Sequence, residues 1–290
     1  MQNLLLSLRQ RYGHPPLIGA AFAALIVLCP IIMGGHAFLI FFSLGGLVIV
    51  VGGVITVAFM SFEAEEVRKA LDVVMQMFRE RQTPPKNLHN DVTAIIYCAR
   101  LLRNRKGLRN LETVIGKSGI RDPFLRYGLN MVLSDYSPEE VRAMLEIAAD
   151  ASYERDSVPV EILQTMASHG PAFGMIGTLV GMVAMLCNLG DTISGIGPSL
   201  AVAFLSTLYG VLSARMFYMP AESKLRQEVE HRRLRNHLII EGMVMLVAQR
   251  TPMYVQDRLN GFLRPESHDY LDVTRPELPK AATPRIAVAA

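Results

Sequence analysis

The feature that most restricts how this chain folds is a long stretch without charged residues near its N-terminus. From Tyr12 to Phe62 the sequence contains no Asp, Glu, Lys or Arg. A run of about 50 such residues is long enough for two membrane-spanning helices of about 20 residues each and a short turn between them. We predict these spans at Leu17–Met33 and Ala37–Met60, with the turn at residues 34–36.

A second apolar pair follows near the C-terminal half of the chain. Between Gly170 and Ala214 the only formal charge is Asp191, and we predict spans at Phe173–Leu189 and Ile196–Met219. Composition agrees, because 51% hydrophobic and 19% charged residues are more apolar than an ordinary soluble domain of this length. The predicted fold class is therefore an all-α membrane protein with four transmembrane helices in two hairpins.

The distribution of Lys and Arg predicts the orientation of these spans. Basic residues are frequent near the N-terminus, in residues 61–169 and after Pro220, and absent from the turns at 34–36 and 190–195. The positive-inside rule then places both termini and the middle segment in the cytoplasm, with a chain that crosses the membrane several times. No cleavage site with small residues follows the first apolar run, so we expect that run to remain as a span. The net charge of +3 is explained by this bias, and membrane lipids rather than nucleic acid are the expected surroundings.

Periodic apolar residues and helix-start signals divide the middle segment into helices. We predict helices at 63–81, continuing directly from the second span, and at 91–103, 108–116 and 122–134. The order Ser137, Pro138, Glu140 is a capping box and opens a longer helix, and a charged helix covers 222–249. The predicted divisions are an N-terminal transmembrane hairpin at 1–62, a cytoplasmic helical domain at 63–169, a second transmembrane hairpin at 170–219, and a cytoplasmic C-terminal helix and tail at 220–290.

Small residues line one face of each of the last two spans. Gly174, Gly177 and Gly181 recur at three and four residues in the third span, and the fourth span carries the set Ser199, Ala203, Ser206, Gly210 and Ser213. Such faces let helices approach closely, and each residue alone is equally consistent with ordinary helix packing. Two adjacent spans with this pattern favour an assembly of several helices in which a partner packs on the small-residue face.

Two hydroxyls and two prolines accompany these faces. Thr178 and Thr207 lie near membrane depth, where a hydroxyl either bonds a carbonyl of its own helix or lines a polar path. From position alone the first use is the more common. Pro171 and Pro220 lie near the predicted cytoplasmic ends of their spans, and each is consistent with a helix boundary, the more common case, or with a hinge.

The spans lack the group that a cation needs to cross a bilayer. Apart from Asp191 in the predicted turn, no carboxylate occurs in them, so if the chain takes part in ion conduction the ion-binding carboxylate must come from a second protein. Cys29, Cys98 and Cys187 are far apart and show no disulfide or zinc spacing. We expect no metal, no cofactor and no catalytic residue.

Two runs carry a resemblance to a known family. The sequence PAFGMIGTLVG from Pro171 and the sequence IGPSLAVAFLSTLYG from Ile196 resemble the flagellar motor proteins MotA and PomA. The similarity is strongest to the PomA-like branch of the MotA/TolQ/ExbB family, and the layout of two hairpins around a cytoplasmic segment agrees. The resemblance covers nearly the whole chain in topology, and weaker similarity extends into residues 225–263.

The resemblance implies the A subunit of a flagellar stator. In that family A subunits form a homo-oligomer, understood as a pentamer, around single-span MotB- or PomB-type subunits whose Asp carries the ion. By this resemblance Thr178 and Thr207 face the ion path, and Pro171 and Pro220 take part in coupling. Gly174, Gly177, Gly181, Ala203 and Gly210 are then the expected packing residues toward the partner.

The family also engages the rotor protein FliG through cytoplasmic charges, an Arg and a Glu eight positions apart. Glu112 matches the Glu of that motif, but eight positions earlier stands Asn104. Arg105 is the preferred candidate for the Arg, with Arg103 and Lys106 beside it. A solvated charged face is the alternative for all four charged residues.

Other classes fit less well. An ExbB- or TolQ-like energiser of outer-membrane processes is related, but its members have three spans and lack the N-terminal hairpin. An intramembrane enzyme is not expected, because the residues Asn188–Asp191 miss a G-x-G-D motif and no H-E-x-x-H or G-x-S-x-G occurs. A secondary transporter would need more spans and a charged midplane site. The transported ion stays open between proton and sodium.

Overall fold

The computed structural model of the chain describes residues 41–78, 88–103, 109, 111, 122–134, 136–187 and 196–263. Most of these residues are helical, and no β-strand occurs among them. They form two compact units. The described part of unit 1 is 41–78, 156–187 and 196–227, and that of unit 2 is 88–103, 109, 111, 122–134, 136–155 and 228–263.

The described residues include seven helices, numbered α1 to α7 in chain order. They are α1 (Leu44–Ser61), α2 (Ala64–Phe78), α3 (Leu88–Leu102), α4 (Pro123–Val132), α5 (Pro138–Cys187), α6 (Ile196–Val247) and α7 (Pro252–Asn260). Three of them, α1, α5 and α6, are long and apolar enough to cross a membrane. The predicted first span, Leu17–Met33, and the turn at Asp191 lie outside the described residues, so the full four-span layout stays a prediction.

The predicted continuation of the second span into the next helix is wrong. Phe62 has extended backbone angles, φ −136° and ψ 162°, and α2 begins anew at Ala64. Glu65 and Glu66 in the first turn of α2 favour a helix start, because carboxylates stabilise the positive end of the helix dipole. The break lets Val67 and Ala70 pack into the same apolar cluster as Val54 and Ala58, which belong to α1.

The two prolines of the last spans do not mark helix boundaries. Helix α5 continues through both Pro159 and Pro171, and Pro220 lies inside α6. A π-helical turn, Ser213–Tyr218, precedes Pro220, and there the Met219 N–H bonds to the Ala214 carbonyl five residues back. Neighbouring helices can hold a helix together across a missing N–H, so the proline signal for a boundary was overridden by packing.

Local capping signals in unit 2 are confirmed. Ser137 N–H donates to the Glu140 carboxylate at 2.8 Å, and Glu140 N–H donates to Ser137 Oγ at 3.2 Å, which is the predicted capping box. Asp122 caps α4, since its Oδ1 accepts from the N–H groups of Phe124 and Leu125 at 3.0 Å each. The predicted helices at 63–81, 91–103 and 122–134 correspond to α2, α3 and α4 with ends shifted by a few residues.

An apolar core of side chains from α3 to α7 holds unit 2 together. Its fully buried members include Ile95, Leu129, Leu145, Leu238 and Leu259, which come from five different helices. The same unit contains Cys98, whose burial raises the pKa of the thiol to about 12. The predicted helix at 108–116 lies outside the described residues except for Arg109 and Leu111, and Leu111 is buried in this core.

Candidate functional site

The small-residue faces of α5 and α6 lie against each other within one chain. All five predicted packing residues, namely Gly174, Gly177, Gly181, Ala203 and Gly210, are buried. A Cβ on Gly181 would lie 2.7 Å from the Ala203 backbone nitrogen, and one on Gly174 would lie 3.1 Å from the Thr207 Cα. A Cβ on Gly210 would lie 2.5 Å from the Gly170 carbonyl oxygen. At Gly181 and Gly210 the two helices therefore approach at a distance that excludes a side chain, and at Gly174 they are nearly as close.

Ser206 lies where three helices meet. Its side chain is fully buried, and its Oγ donates to the Val202 carbonyl at 2.6 Å. A Cβ added to Gly177 on α5 would overlap the Ser206 side chain, and one added to Gly46 on α1 would lie 2.8 Å from Ser206 Oγ. Because glycines lie on two sides of position 206, the space there fits a serine side chain but not a much larger one.

The two predicted ion-path threonines differ in their surroundings. Thr178 is half-buried and donates to the Met175 carbonyl of its own helix at 2.6 Å. Thr207 is also half-buried and makes a long hydrogen bond of 3.5 Å across to the Gly174 carbonyl on α5. Because each hydroxyl uses its proton for a carbonyl, its oxygen lone pairs remain the groups with which it can bind a cation.

Neither acidic nor basic groups accompany these hydroxyls in the apolar parts of the described helices. Residues 41–61, 170–187 and 196–214 contain no Asp, Glu, Lys or Arg. Among the described residues no group of three His, Cys, Asp or Glu is placed to hold a metal ion. The arrangement offers oxygen ligands without a compensating negative charge, so on its own it is a weak cation site.

Pro171 lies beside a tight contact between α5 and α1. The Phe173 ring occupies the space where a side chain on Gly53 would be, so ring and glycine fit as knob and hole. Gly170, the residue before Pro171, packs on Gly210 of α6. Pro171 therefore follows a tightly packed glycine, Gly170, and precedes by two residues the ring that fills the space at Gly53.

The opposite faces of α5 and α6 carry large apolar side chains that stand exposed in the part of the chain that the structure describes. On α5 the exposed set is Met175, Ile176, Leu179, Val180, Met182, Val183 and Leu186. On α6 Leu200, Phe204 and Val211 are exposed. Such faces suit a lipid environment or neighbouring helices of other chains.

Tyr209 is a site residue that the sequence reasoning missed. Its hydroxyl donates to the Phe41 carbonyl at 2.6 Å and accepts from the Ser43 N–H at 2.8 Å. A signal for it existed, because a tyrosine inside an apolar span needs a hydrogen-bond partner for its hydroxyl. The partners themselves are more than 160 residues away in sequence, and no local pattern points to them.

The predicted rotor-contact residues lie mostly outside the described residues. Arg105, Lys106 and Glu112 are among the undescribed positions, whereas Arg103 is exposed just after the end of α3. Of the predicted site residues, the structure brings together Thr178, Thr207 and the five small packing residues, all of them in unit 1.

The chain is similar in sequence and in fold to proteins that are already known. A model of the MotA/TolQ/ExbB proton channel family matches residues 117–236. Motility protein A of Borreliella burgdorferi is 31% identical over 233 residues, covering 80% of this chain and 87% of that protein. Chemotaxis protein PomA of Vibrio alginolyticus is 29% identical over 247 residues, covering 85% of this chain and 94% of that protein. The structure of C. jejuni MotAB matches with a TM-score of 0.75 at 22% identity, covering 87% of this chain and 96% of that chain, and shows a shared fold.

Proposed function

This chain belongs to the MotA/TolQ/ExbB proton channel family as a MotA/PomA-like stator protein, and from this premise we propose how its residues take part in ion-driven flagellar torque. The observation that carries the proposal is the pairing of α5 and α6. They meet through glycines, present the hydroxyls of Thr178 and Thr207, and offer no carboxylate in residues 170–187 and 196–214. A helix pair of this kind requires a second protein before it can pass an ion.

The ion path runs, in this proposal, along Thr178 and Thr207. A MotB- or PomB-type single-span partner supplies the Asp that binds the ion, and the threonine oxygens bind it as secondary ligands. The partner packs on a surface formed by several copies of this chain, with Gly174, Gly177, Gly181, Ala203 and Gly210 setting the spacing of α5 and α6. The transported ion is a proton or sodium, both compatible with a hydroxyl beside a carboxylate.

Copies of the chain form a ring, a pentamer in this proposal, in the inner membrane with both termini in the cytoplasm. Each ion-binding step on the partner's carboxylate moves the ring to its next position. A membrane potential supplies about 2.3 kcal/mol per elementary charge per 100 mV, enough for small rotational steps rather than for unfolding. Pro171 and Pro220 take up these steps, because each leaves one helical carbonyl without its N–H partner.

The cytoplasmic charges Arg103, Arg105, Lys106 and Glu112 contact the rotor protein FliG in the same proposal. What supports this assignment is the match of Glu112 to the family motif and the exposure of Arg103. Charge reversal at Glu112 tests it, because loss of torque with intact ion flux separates rotor contact from conduction. Glu139→Lys, a reversal at an exposed glutamate of α5, is the matched control.

The first experiment is deletion of the gene in its native host with complementation by the wild-type chain. We expect cells that assemble filaments but do not swim, seen by electron microscopy and by tracking. Swimming restored by the wild-type chain supports the stator function. A defect in outer-membrane import or envelope integrity in place of a motility defect would contradict it.

The second experiment tests the ion path through isosteric substitutions. Thr178→Val and Thr207→Val each keep the side-chain shape and remove the hydroxyl, and we expect lower ion flux through the reconstituted complex with the partner. Thr56→Val is the matched control, because Thr56 is exposed on α1 and its hydroxyl likewise donates to a carbonyl, that of Gly52, at 2.7 Å. Unchanged flux in both test variants would show that the assigned path is wrong.

A further inference from the structure

The start of α1 is an interruption inside an apolar segment. Helix α1 begins at Leu44, and Phe42 and Ser43 before it are not in regular helix. Ser43 is the N-cap, with φ −117° and ψ 110°, and its Oγ accepts from the Gly46 N–H at 3.4 Å. This segment falls within the predicted span Ala37–Met60.

The contacts of α1 place this interruption at membrane depth. Gly46 lies against Ser206, and Ser206 follows the start of α6 at Ile196 by about 15 Å along the helix, at 1.5 Å per residue. The apolar part of α6, from Ile196 to Ala214, is about 28 Å long by the same rise, close to the thickness of the hydrocarbon core. The first turn of α1 is therefore near the middle of the membrane.

Backbone groups outside a helix need partners at this depth. Hydrocarbon offers no hydrogen bonds, so non-helical backbone occurs there only where protein or a water-filled cavity satisfies it. The Tyr209 hydroxyl does so on both sides of Phe42, because it donates to the Phe41 carbonyl at 2.6 Å and accepts from the Ser43 N–H at 2.8 Å.

We propose that Tyr209 is a positioning residue whose hydroxyl holds the interrupted start of α1 on α6 and so keeps Gly46 seated on Ser206. Tyr209 and Ser206 are three residues apart and fix the same turn of α1, one by hydrogen bonds and the other by close packing. Ser206 in turn adjoins Thr207. That the position of α1 affects the passage of ions rests on the proposed function.

The test compares Tyr209→Phe with Tyr218→Phe in the complex of this chain with its single-span partner in lipid nanodiscs. Both substitutions keep the ring and remove a hydroxyl on α6. Tyr218 is the matched control, because it is buried in an apolar cluster and its hydroxyl makes no hydrogen bond within the described part of the chain. Amide hydrogen exchange by mass spectrometry reports on peptides covering residues 41–47, and ion flux is measured on the same samples.

We expect amide exchange in residues 41–47 to be about tenfold faster in Tyr209→Phe than in the wild type, because the variant loses hydrogen bonds of ordinary net strength. We also expect the ion flux of this variant to be lower. Tyr218→Phe leaves both unchanged. Equal exchange in Tyr209→Phe and wild type overturns the proposal, as does faster exchange that extends equally to residues 88–102. Faster local exchange with unchanged flux overturns the positioning role. The exchange comparison does not depend on ion flux. Failure of the proposed function would appear as absent flux in the wild-type complex, and it is therefore distinguishable from failure of the positioning role of Tyr209.

Discussion

The guanidinium of Arg235 donates to Oδ2 of Asp122 at 2.6 Å, while Oδ1 of the same carboxylate caps α4. Arg235 also donates to both oxygens of Asp91 on α3, at 2.5 and 2.9 Å. Only 5% of the Arg235 side chain is exposed. One buried arginine of α6 therefore joins the first turn of α3 to the start of α4 within unit 2.

Removing this arginine should destabilise unit 2 strongly. Arg235→Met removes the positive charge that pairs with two largely buried carboxylates, and breaking a buried ion pair in this way costs about 3 to 5 kcal/mol. Thermal unfolding of the purified protein in detergent checks this. Arg226→Met is the control, because Arg226 is half-exposed in its pair with Glu222, and such pairs contribute less than about 1 kcal/mol. Equal melting temperatures for the two variants would contradict the prediction.

The close contact of α5 with Ser206 predicts a size limit at Gly177. Gly177→Ala places a methyl group in the volume of the Ser206 side chain, and overpacking of this kind costs about 1 to 3 kcal/mol. We expect less assembled complex and slower swimming. Gly45→Ala is the control, since among the described residues no atom beyond the adjoining stretch of its own helix lies within 4 Å of a Cβ at that position.

A second substitution checks that the cause is the clash. Ser206→Gly removes the atoms that the new methyl group meets, so the double variant Gly177→Ala with Ser206→Gly should regain assembly relative to Gly177→Ala alone. If the double variant assembles no better than the single one, the contact with Ser206 is not the reason for the defect.

The buried thiol of Cys98 should be nearly unreactive in the folded protein. Because burial raises its pKa to about 12, the reactive thiolate is scarce at pH 8. In a background of Cys29→Ala and Cys187→Ala, we expect alkylation by iodoacetamide at pH 8 to be at least about 100-fold slower than in the same protein unfolded in SDS. Rapid labelling of the native protein would mean that the core around Cys98 is open.

The capping box at the start of α5 predicts a pH-dependent contribution to stability. The hydrogen bond from the Ser137 backbone N–H, followed by that involving the Ser137 side chain, lowers the pKa of Glu140 from its ordinary value of 4.5. A carboxyl whose folded pKa is lowered stabilises the fold above its unfolded pKa and loses that contribution as the pH falls through the folded pKa. Glu140→Gln should therefore lower the melting temperature at pH 7 and have a smaller effect near pH 3.

The control for this prediction is Glu139→Gln, which removes the neighbouring exposed charge without removing the box. We expect its melting temperature to change less with pH than that of Glu140→Gln. A Glu140→Gln effect that is as large at pH 3 as at pH 7 would show that hydrogen-bond geometry, and not the charge of Glu140, stabilises this helix start.

Features that depend on neighbouring residues were predictable from the sequence. The apolar segments within α1, α5 and α6, the Asp122 cap and the Ser137–Glu140 box follow from composition and spacing, because these effects act along one stretch of chain. The glycine faces of α5 and α6 were also visible as a period of three and four residues. The surface that each glycine face contacts could not be predicted, because it depends on the packing of whole helices.

The continuity of α5 and α6 through Pro171 and Pro220, and the break at Phe62, were decided by tertiary structure. Local propensity predicts that a helix ends near a proline, and that an apolar run followed without a break by an amphipathic run forms one helix. Burial of side chains against neighbouring helices outweighs these propensities, which amount to a few kcal/mol. The sequence by itself determined that the chain has charge-free segments long enough to cross a membrane. Only the tertiary structure brought Tyr209 to Phe41 and Ser43, Ser206 between Gly46 and Gly177, and Arg235 to Asp91 and Asp122, because these partners are far apart in the chain and meet only when the helices pack.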